Sequence, residues 1–86
     1  MKMDIIFVIY NSSKWIVPCL ESLRNADYTT KDLYLTFVDN GSHDESVNLI
    51  ESYRERDKFG GYQIIKAGQN LGFGKANNLG VKSTTK

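Results

Sequence analysis

The 86-residue sequence has one cysteine, one proline and one histidine, and these scarcities exclude several classes of site. The lone thiol of Cys19 cannot form an internal disulfide or a zinc cage, so a reducing, cytoplasmic setting is expected. A single histidine, His43, is too few for a histidine-based metal site or a cluster of catalytic bases. The phosphate-binding pattern Gly-x-x-x-x-Gly-Lys-Ser/Thr is also absent from the sequence.

The sequence also has no large excess of positive or negative charge and no long hydrophobic run. Eleven basic and ten acidic side chains are interspersed and give a formal net charge of +1. This balance argues against a nucleic-acid-binding surface or a basic membrane patch. The apolar run over residues 5–9 is too short for a membrane span or a signal-peptide core. The length allows one small domain, so we expect residues 1–86 to form a single domain.

Three segments have the composition of buried strands: residues 4–10, 33–38 and 62–67. Each is rich in β-branched and aromatic residues, and the first is almost continuously apolar. Such a run without alternation is typical of a parallel strand covered on both faces. The first segment is the most apolar, which predicts a central position in the sheet. A strand order 3-2-1 would instead leave this segment with one bare edge, which is an association hazard.

The first helix is predicted directly after the first strand, where Asn11, Ser12 and Ser13 offer N-caps. Apolar side chains then recur at helical spacing: Trp15, Ile16, Cys19, Leu20 and Leu23. We expect Trp15 to be a partial core anchor and Cys19 to be a small buried residue. The helix should end over residues 25–28.

Two more helices are expected. Ser42 and Glu45 match a capping box for a helix over residues 43–57, with its acids favourably placed in the first turn. This helix should bury Val47, Ile50 and Tyr53. The last helix should begin near Phe73, and Ala76 and Gly80 suggest close packing of that helix on the sheet.

This alternation predicts an α/β fold: a parallel sheet of three strands in β-α-β-α-β-α order between helical layers. In doubly wound sheets, ligands bind outside the carboxyl ends of the strands. Polar loops follow all three predicted strands at that end: Tyr10-Asn11-Ser12, Asp39-Asn40-Gly41-Ser42 and Asn70-Leu71-Gly72-Phe73-Gly74. Glycines let main-chain N–H groups approach a ligand, and a helix start favours anions. The three loops therefore predict one rim that holds a nucleotide.

The same segments carry a resemblance to a known family. They are Val8-Ile9-Tyr10-Asn11, Cys19-Leu20-Glu21-Ser22-Leu23, Val38-Asp39-Asn40-Gly41-Ser42 with Asp44 and Ser46, and Asn70-Leu71-Gly72-Phe73-Gly74 with Asn77, Asn78 and Gly80. In this order and spacing the chain resembles the N-terminal part of a family-two glycosyltransferase of the rhamnosyltransferase-like kind. The resemblance implies a three-layer, Rossmann-like half of a GT-A fold. We expect residues 1–86 to be a truncated, nucleotide-sugar-binding portion.

The resemblance implies that the parent enzyme transfers a sugar from a nucleotide-diphosphate sugar to an acceptor hydroxyl with inversion. It implies nucleotide binding for seven residues: Ile9, Tyr10, Asn11, Asp39, Asn70, Gly72 and Lys75. A divalent metal ion, Mg²⁺ or Mn²⁺, is implied for the full-length parent. No Asp-x-Asp pair occurs in this sequence, so no catalytic residue and no metal ligand is assigned, and the chain alone is expected to be inactive.

Other interpretations stay open. Asp39 could cap its own turn, Tyr10 could be an amphipathic strand-end residue, and Lys75 could be a solvated helix residue. Gly72-x-Gly74 resembles a dinucleotide fingerprint only superficially, because it follows the third strand. The chain could also be a non-catalytic α/β module that forms a homodimer through its first-strand edge. A receiver-like or flavodoxin-like domain is disfavoured, because receivers need acids where the first strand ends.

Overall fold

Strands and helices alternate along the computed structural model, which describes residues 2–25 and 29–84. The strands are β1 (Met3–Ile9), β2 (Leu33–Asp39) and β3 (Gly61–Lys66), and the helices are α1 (Ser13–Arg24), α2 (Ser46–Glu51) and α3 (Phe73–Thr84). Two short 3₁₀ turns, Thr30–Asp32 and Arg56–Lys58, precede β2 and β3. The predicted β-α-β-α-β-α order is confirmed.

The three strands form one parallel sheet in the order β1-β2-β3. Met3 pairs with Leu33 across the first ladder, and Tyr34 pairs with Gly61 across the second. β2 is therefore the central strand of the described residues, and all but one of its residues are buried. The prediction that the first strand is central is wrong for this part of the chain. Its apolar side chains are half-covered by helices on its two faces rather than by a second neighbouring strand.

One hydrophobic core lies between the sheet and the α1–α2 layer. Its buried members are Ile9, Ile16, Leu20, Leu33, Leu35, Phe37, Ile50 and Phe59. Phe37, on the central strand, stacks on Phe7 with ring centroids 4.9 Å apart. The core members on α1 recur at helical spacing because only one side of that helix faces the sheet.

α3 packs on the opposite face of the sheet and completes the third layer. Its buried residues are Ala76 and Gly80. A Cβ atom at Gly80 would lie 2.6 Å from Ile6 Cγ2 and 3.1 Å from Val38 Cγ2, so only glycine allows this approach. The predicted close packing of these two small residues on the sheet is confirmed.

Three local predictions are wrong. The second helix covers only Ser46–Glu51, and a 3₁₀ turn over Arg56–Lys58 replaces its predicted second half. The Ser42–Glu45 capping box does not form: Ser42 Oγ accepts from the Asn11 main-chain N–H, and α2 begins at Ser46, whose main-chain N–H donates to Asp44. Trp15 is 72% exposed and is no core anchor.

The remaining helix predictions hold more closely. Ile50 is fully buried, while Val47 and Tyr53 are only partly so. Cys19 is half-buried, and that burial raises the pKa of its thiol. α1 ends at Arg24 with Asn25 as its C-cap, and the rest of its predicted end, to residue 28, lies outside the described residues. Across the residues that the structure describes, no helix has both the length and the apolar character needed to cross a membrane.

Candidate functional site

The first two polar loops are tied to each other at the carboxyl end of the sheet. We call residues 10–12 loop 1, residues 40–45 loop 2 and residues 67–72 loop 3. The three loops, together with Asp39 at the end of β2, form what we call the rim. The Asn11 main-chain N–H donates to Ser42 Oγ (3.0 Å), and the His43 main-chain N–H donates to Asn11 Oδ1 (2.8 Å). Asn11 adopts a left-handed backbone with φ of 48°. This reciprocal pair holds loop 1 against loop 2.

Loops 2 and 3 are joined more tightly, through the side chain of Asn40. Its Nδ2 donates to Asn70 Oδ1 (3.1 Å), and its Oδ1 accepts from the Leu71 main-chain N–H (2.7 Å). Its own main-chain N–H donates to the Ile9 carbonyl oxygen (2.7 Å). Asn40 is 4% exposed and thus links the ends of β1 and β2 to loop 3 from a buried position.

Gly41, the next residue, lets loop 3 approach loop 2. It has a φ of 88°, and a Cβ atom there would lie 3.0 Å from the Gln69 carbonyl carbon and 3.1 Å from Asn70 N. A side chain at this position would strain the backbone and push loop 3 away. The convergence of the three loops, predicted from the parallel strand order, is therefore what the structure shows.

Asp39, at the end of β2, is the most informative side chain of the rim. The residue is only 7% exposed, and its Oδ1 accepts from the Ser42 main-chain N–H (3.2 Å). This is the turn-capping contact that was the alternative interpretation of Asp39. Its Oδ2 has no hydrogen-bond partner among the described residues. A carboxylate has acceptor capacity for several donors, so this oxygen is left available for a ligand at the rim.

Asp44, in loop 2, joins the amino ends of two helices. Its Oδ2 accepts from the Ser13 main-chain N–H at the start of α1 (3.1 Å). Its Oδ1 accepts from the Ser46 hydroxyl and from the Ser46 main-chain N–H at the start of α2 (3.0 Å). The Ser46 hydroxyl, followed by these main-chain N–H groups, lowers the pKa of Asp44 to about 2. Sequence reasoning assigned the caps to serines and missed this carboxylate.

The other predicted site residues take different positions around the rim. Tyr10 is 48% exposed, and Gly72, with φ of 83°, is open to solvent. The Ile9 side chain is buried in the core, so only its main chain reaches the rim. Lys75 is exposed and borders a groove on α3 that no loop 1 or loop 2 residue lines.

Asn40 is the functional candidate that sequence reasoning missed. It stands in the Asp39-Asn40-Gly41 cluster, which predicts a turn, and a turn residue is expected to be exposed. The only signal in the sequence was the direct succession of two polar residues after a buried strand. That signal does not reveal which neighbouring loop the side chain contacts.

The described residues do not fit a divalent metal ion. No group of three or more histidine, cysteine, aspartate or glutamate side chains is placed to hold one within residues 2–25 and 29–84. Of the rim carboxylates, Asp44 uses both of its oxygens in helix capping, and Glu45 accepts from Asn48 Nδ2. Asp39 has a single free oxygen, which is too few for an oxygen-ligated cation. No chemical step through a metal is therefore derived from these residues.

Comparisons with known proteins agree with this geometry. Residues 4–86 match the family model described as Glycosyl transferase family 2. The teichoic acid poly(glycerol phosphate) polymerase of Staphylococcus epidermidis is 33% identical over 82 residues, which cover 94% of this chain and 11% of that protein. The poly(ribitol-phosphate) beta-N-acetylglucosaminyltransferase TarS of Staphylococcus aureus is 30% identical over 82 residues, with coverages of 95% and 14%.

Solved structures of S. aureus TarS 1-349 match as well. The complex with UDP has a TM-score of 0.83 and 28% identity over 99% of this chain and 25% of that one. The complex with UDP-GlcNAc has a TM-score of 0.83 and 29% identity, with coverages of 98% and 24%. This chain thus spans about a quarter or less of the length of these relatives. The rhamnosyltransferase-like subtype stays a prediction, whereas the α/β half of a GT-A fold is confirmed. The chain belongs to glycosyl transferase family 2.

Proposed function

We propose that the chain forms the nucleotide-binding part of a glycosyltransferase. The whole protein would transfer a sugar from a nucleotide-diphosphate sugar to an acceptor hydroxyl with inversion. The observation that carries this proposal is the Asp39 carboxylate, which lies almost buried at the rim and keeps one oxygen without a protein partner. Among the described residues this oxygen is not one of the fully buried side-chain atoms that lack a partner, so it reaches solvent at the rim and is open to a ligand donor.

A nucleotide supplies the required groups. An N–H of its base or a hydroxyl of its ribose would donate to Asp39, and the half-exposed ring of Tyr10 would pack against the base. Asn11, Asn70 and the main chain of Ile9 and Gly72 would border the same ligand. The two solved relatives that contain UDP and UDP-GlcNAc make uridine diphosphate the first compound to test.

The other parts of the reaction are not assigned to these residues. If a divalent cation takes part, as the resemblance implies, its ligands are not among the described side chains. We also assign no base for the acceptor hydroxyl. Lys75 remains a proposed phosphate contact only, since its groove lies apart from loops 1 and 2. The extent of the domain over residues 1–86 and the cytoplasmic location stay predictions.

Titration with UDP, followed by amide chemical shifts, tests the proposal. The shifts should concentrate on Tyr10, Asp39 and Asn70. Asp39→Asn keeps an oxygen that accepts from the Ser42 N–H. It replaces the free Oδ2 with an NH₂ group, which faces the donor of the ligand and cannot accept from it. An unpaired donor of this kind costs about 1–3 kcal/mol, so UDP affinity should fall by about fivefold to about 150-fold.

Asp57→Asn is the matched control, because Asp57 is an exposed aspartate in the 3₁₀ turn before β3, away from the rim. It should leave the UDP affinity and the unfolding curve unchanged. Shifts that spread over the whole sheet, or an Asp39→Asn protein that binds UDP as tightly as the control, would exclude Asp39 as the ligand contact.

A second candidate function is self-association through β1. This strand has no neighbour on one side among the described residues, and its residues 5–8 are only partly buried. Edge-to-edge pairing of two copies would cover these apolar side chains in a continuous sheet. Light scattering over a range of concentrations tests this. A dimer supports the candidate, and a monomer at millimolar concentration rejects it.

A further inference from the structure

The side-chain amides of Asn40 and Asn70 face each other in one fixed orientation. Asn40 Nδ2 donates to Asn70 Oδ1 at 3.1 Å. Asn40 Oδ1 accepts from the Leu71 main-chain N–H, and Asn70 Oδ1 accepts from the Gly72 main-chain N–H at 2.8 Å. A main-chain N–H can only donate, so these two contacts define which end of each amide is oxygen.

This orientation leaves one group of Asn70 unused. Its oxygen accepts two hydrogen bonds from inside the rim, from Asn40 and Gly72. Its Nδ2 has no protein partner among the described residues, and Asn70 is an exposed residue. Asn70 therefore offers the rim a hydrogen-bond donor. Asp39 offers the same rim an acceptor, its free Oδ2.

We propose that Asn40 is a positioning residue that orients the Asn70 amide so that Asn70 donates to an acceptor oxygen of the bound nucleotide. This inference rests on the proposed function for the nature of the ligand. The contact with Asn40 does not touch the ligand, since Asn40 is almost fully buried. Asn40 thus determines whether Asn70 presents its nitrogen or its oxygen to the ligand. With Asp39 as the acceptor, the rim then favours a ligand that has one donor and one acceptor side by side.

Asn40→Asp reverses this polarity by replacing the amide nitrogen with an oxygen. The new carboxylate can still accept from the Leu71 N–H, but it has no donor for Asn70 Oδ1. Two facing oxygens repel, so the Asn70 amide turns over and donates its Nδ2 to that carboxylate. Its oxygen then faces the ligand, and the Gly72 N–H loses its acceptor. Asn70 would now repel the acceptor that it bound before.

The test is a double-mutant cycle in UDP affinity with Asn40→Asp, Asn70→Ala and their combination, read by amide shift titration. Asn70→Ala should weaken binding about five- to tenfold, through loss of one hydrogen bond. Asn40→Asp should weaken it at least tenfold while Asn70 is present, and no more than about threefold once Asn70 is alanine. Repulsion of the nucleotide by the new charge alone would act equally in both backgrounds.

The second measurement needs no ligand. In Asn40→Asp the Gly72 amide should exchange its hydrogen about tenfold faster than in the native chain, while the Leu71 amide keeps its protection. Asn25→Asp, at the exposed C-cap of α1, is the matched control and should change neither amide nor the UDP affinity. Equal exchange of Gly72 in native and Asn40→Asp protein overturns the inference. So does an equal loss of affinity in both backgrounds.

Two further arms keep the inference testable. If Asn40→Asp does not fold, Asn70→Asp retains the acceptor for Asn40 and Gly72 but removes the outward donor. It should bind UDP less tightly than the native chain, and unchanged binding would overturn the inference.

Titration with uridine in place of UDP shows which part of the nucleotide carries the acceptor oxygen. If Asn70→Ala weakens the binding of both ligands, the acceptor belongs to the nucleoside. If it weakens the binding of UDP alone, the acceptor belongs to the diphosphate. If the native chain binds neither uridine nor UDP, the proposed function is wrong. Hydrogen exchange of the Gly72 amide still tests the orientation of the Asn70 side chain in that case.

Discussion

Gly80 of α3 lies so close to Ile6 of β1 that a Cβ atom on the glycine would stand 2.6 Å from Ile6 Cγ2. This contact brings α3 directly onto the sheet, and loop 3 and α3 follow β3 in the chain. The position of loop 3 at the rim therefore depends on a packing contact at the other end of the same helix. The proposed nucleotide site and the packing of this small domain are thus connected through α3.

Gly80→Ala should destabilise the domain, because the new methyl group would force Ile6 or Val38 to move. Overpacking of this kind costs about 1–3 kcal/mol in the free energy of unfolding, as measured by urea denaturation. Gly74→Ala, in the first turn of the same helix, is the control because nothing lies within 4 Å of its Cβ position. It should be neutral or stabilising by up to about 1 kcal/mol. Equal effects at the two glycines would show that α3 does not pack as described.

Trp15 and Leu20 should respond in opposite ways to truncation, although both lie on the helix α1. Trp15 is 72% exposed, so Trp15→Ala should change the free energy of unfolding by no more than about 0.5 kcal/mol. Leu20 is fully buried in the core, so Leu20→Ala should cost about 2–5 kcal/mol. Trp15 is also the only tryptophan of the chain, and its fluorescence should be strongly quenched by acrylamide in the folded state. Weak quenching by acrylamide would show that Trp15 is shielded from solvent, which would contradict the orientation of α1 described here.

Asp44→Asn should remove a pH-dependent part of the stability. The pKa of Asp44 is about 2 when folded and near 3.8 when unfolded, so the unfolded chain binds the proton more readily. The stabilisation by the carboxylate is therefore complete above about pH 5 and is lost as the pH falls from 4 to 2. Urea unfolding of both proteins from pH 2 to 7 should show curves that differ by a constant above pH 5 and converge below pH 4. A difference that grows toward low pH would have the wrong sign and would reject the double helix cap.

Asn11→Gly and Asn11→Ala separate backbone strain from hydrogen bonding in loop 1. Both variants lose the acceptor for the His43 N–H. The φ of 48° is free of steric cost for glycine, whereas alanine pays about 1–2 kcal/mol there. Asn11→Ala should thus unfold at lower urea concentration than Asn11→Gly. If the two variants unfold at the same concentration, loop 1 does not hold residue 11 in the left-handed conformation.

Much of the architecture could be read from local sequence. The three apolar runs predict the three strands, and the helical spacing of Ile16 and Leu20 predicts the buried face of α1, because side-chain periodicity reports which residues face a core. The second helix was overestimated because its charged residues 54–58 fit a solvated helix as well as the 3₁₀ turn that forms. Trp15 was misplaced because an apolar residue at helical spacing is indistinguishable, in sequence, from one just outside the buried face.

The sequence by itself determined the parallel order of elements and, through it, the end of the sheet at which the polar loops lie. These features follow from local interactions along the chain: strand propensity, the helical period and the turn residues after each strand. Only the tertiary structure decided that Asn40 is buried, that Asp39 keeps an unpaired oxygen, and that Asp44 caps two helices. The contacts of Asn40 with loop 3, and that of Asp44 with Ser13, join residues about thirty positions apart, so separate chain segments must come together before these hydrogen bonds can form.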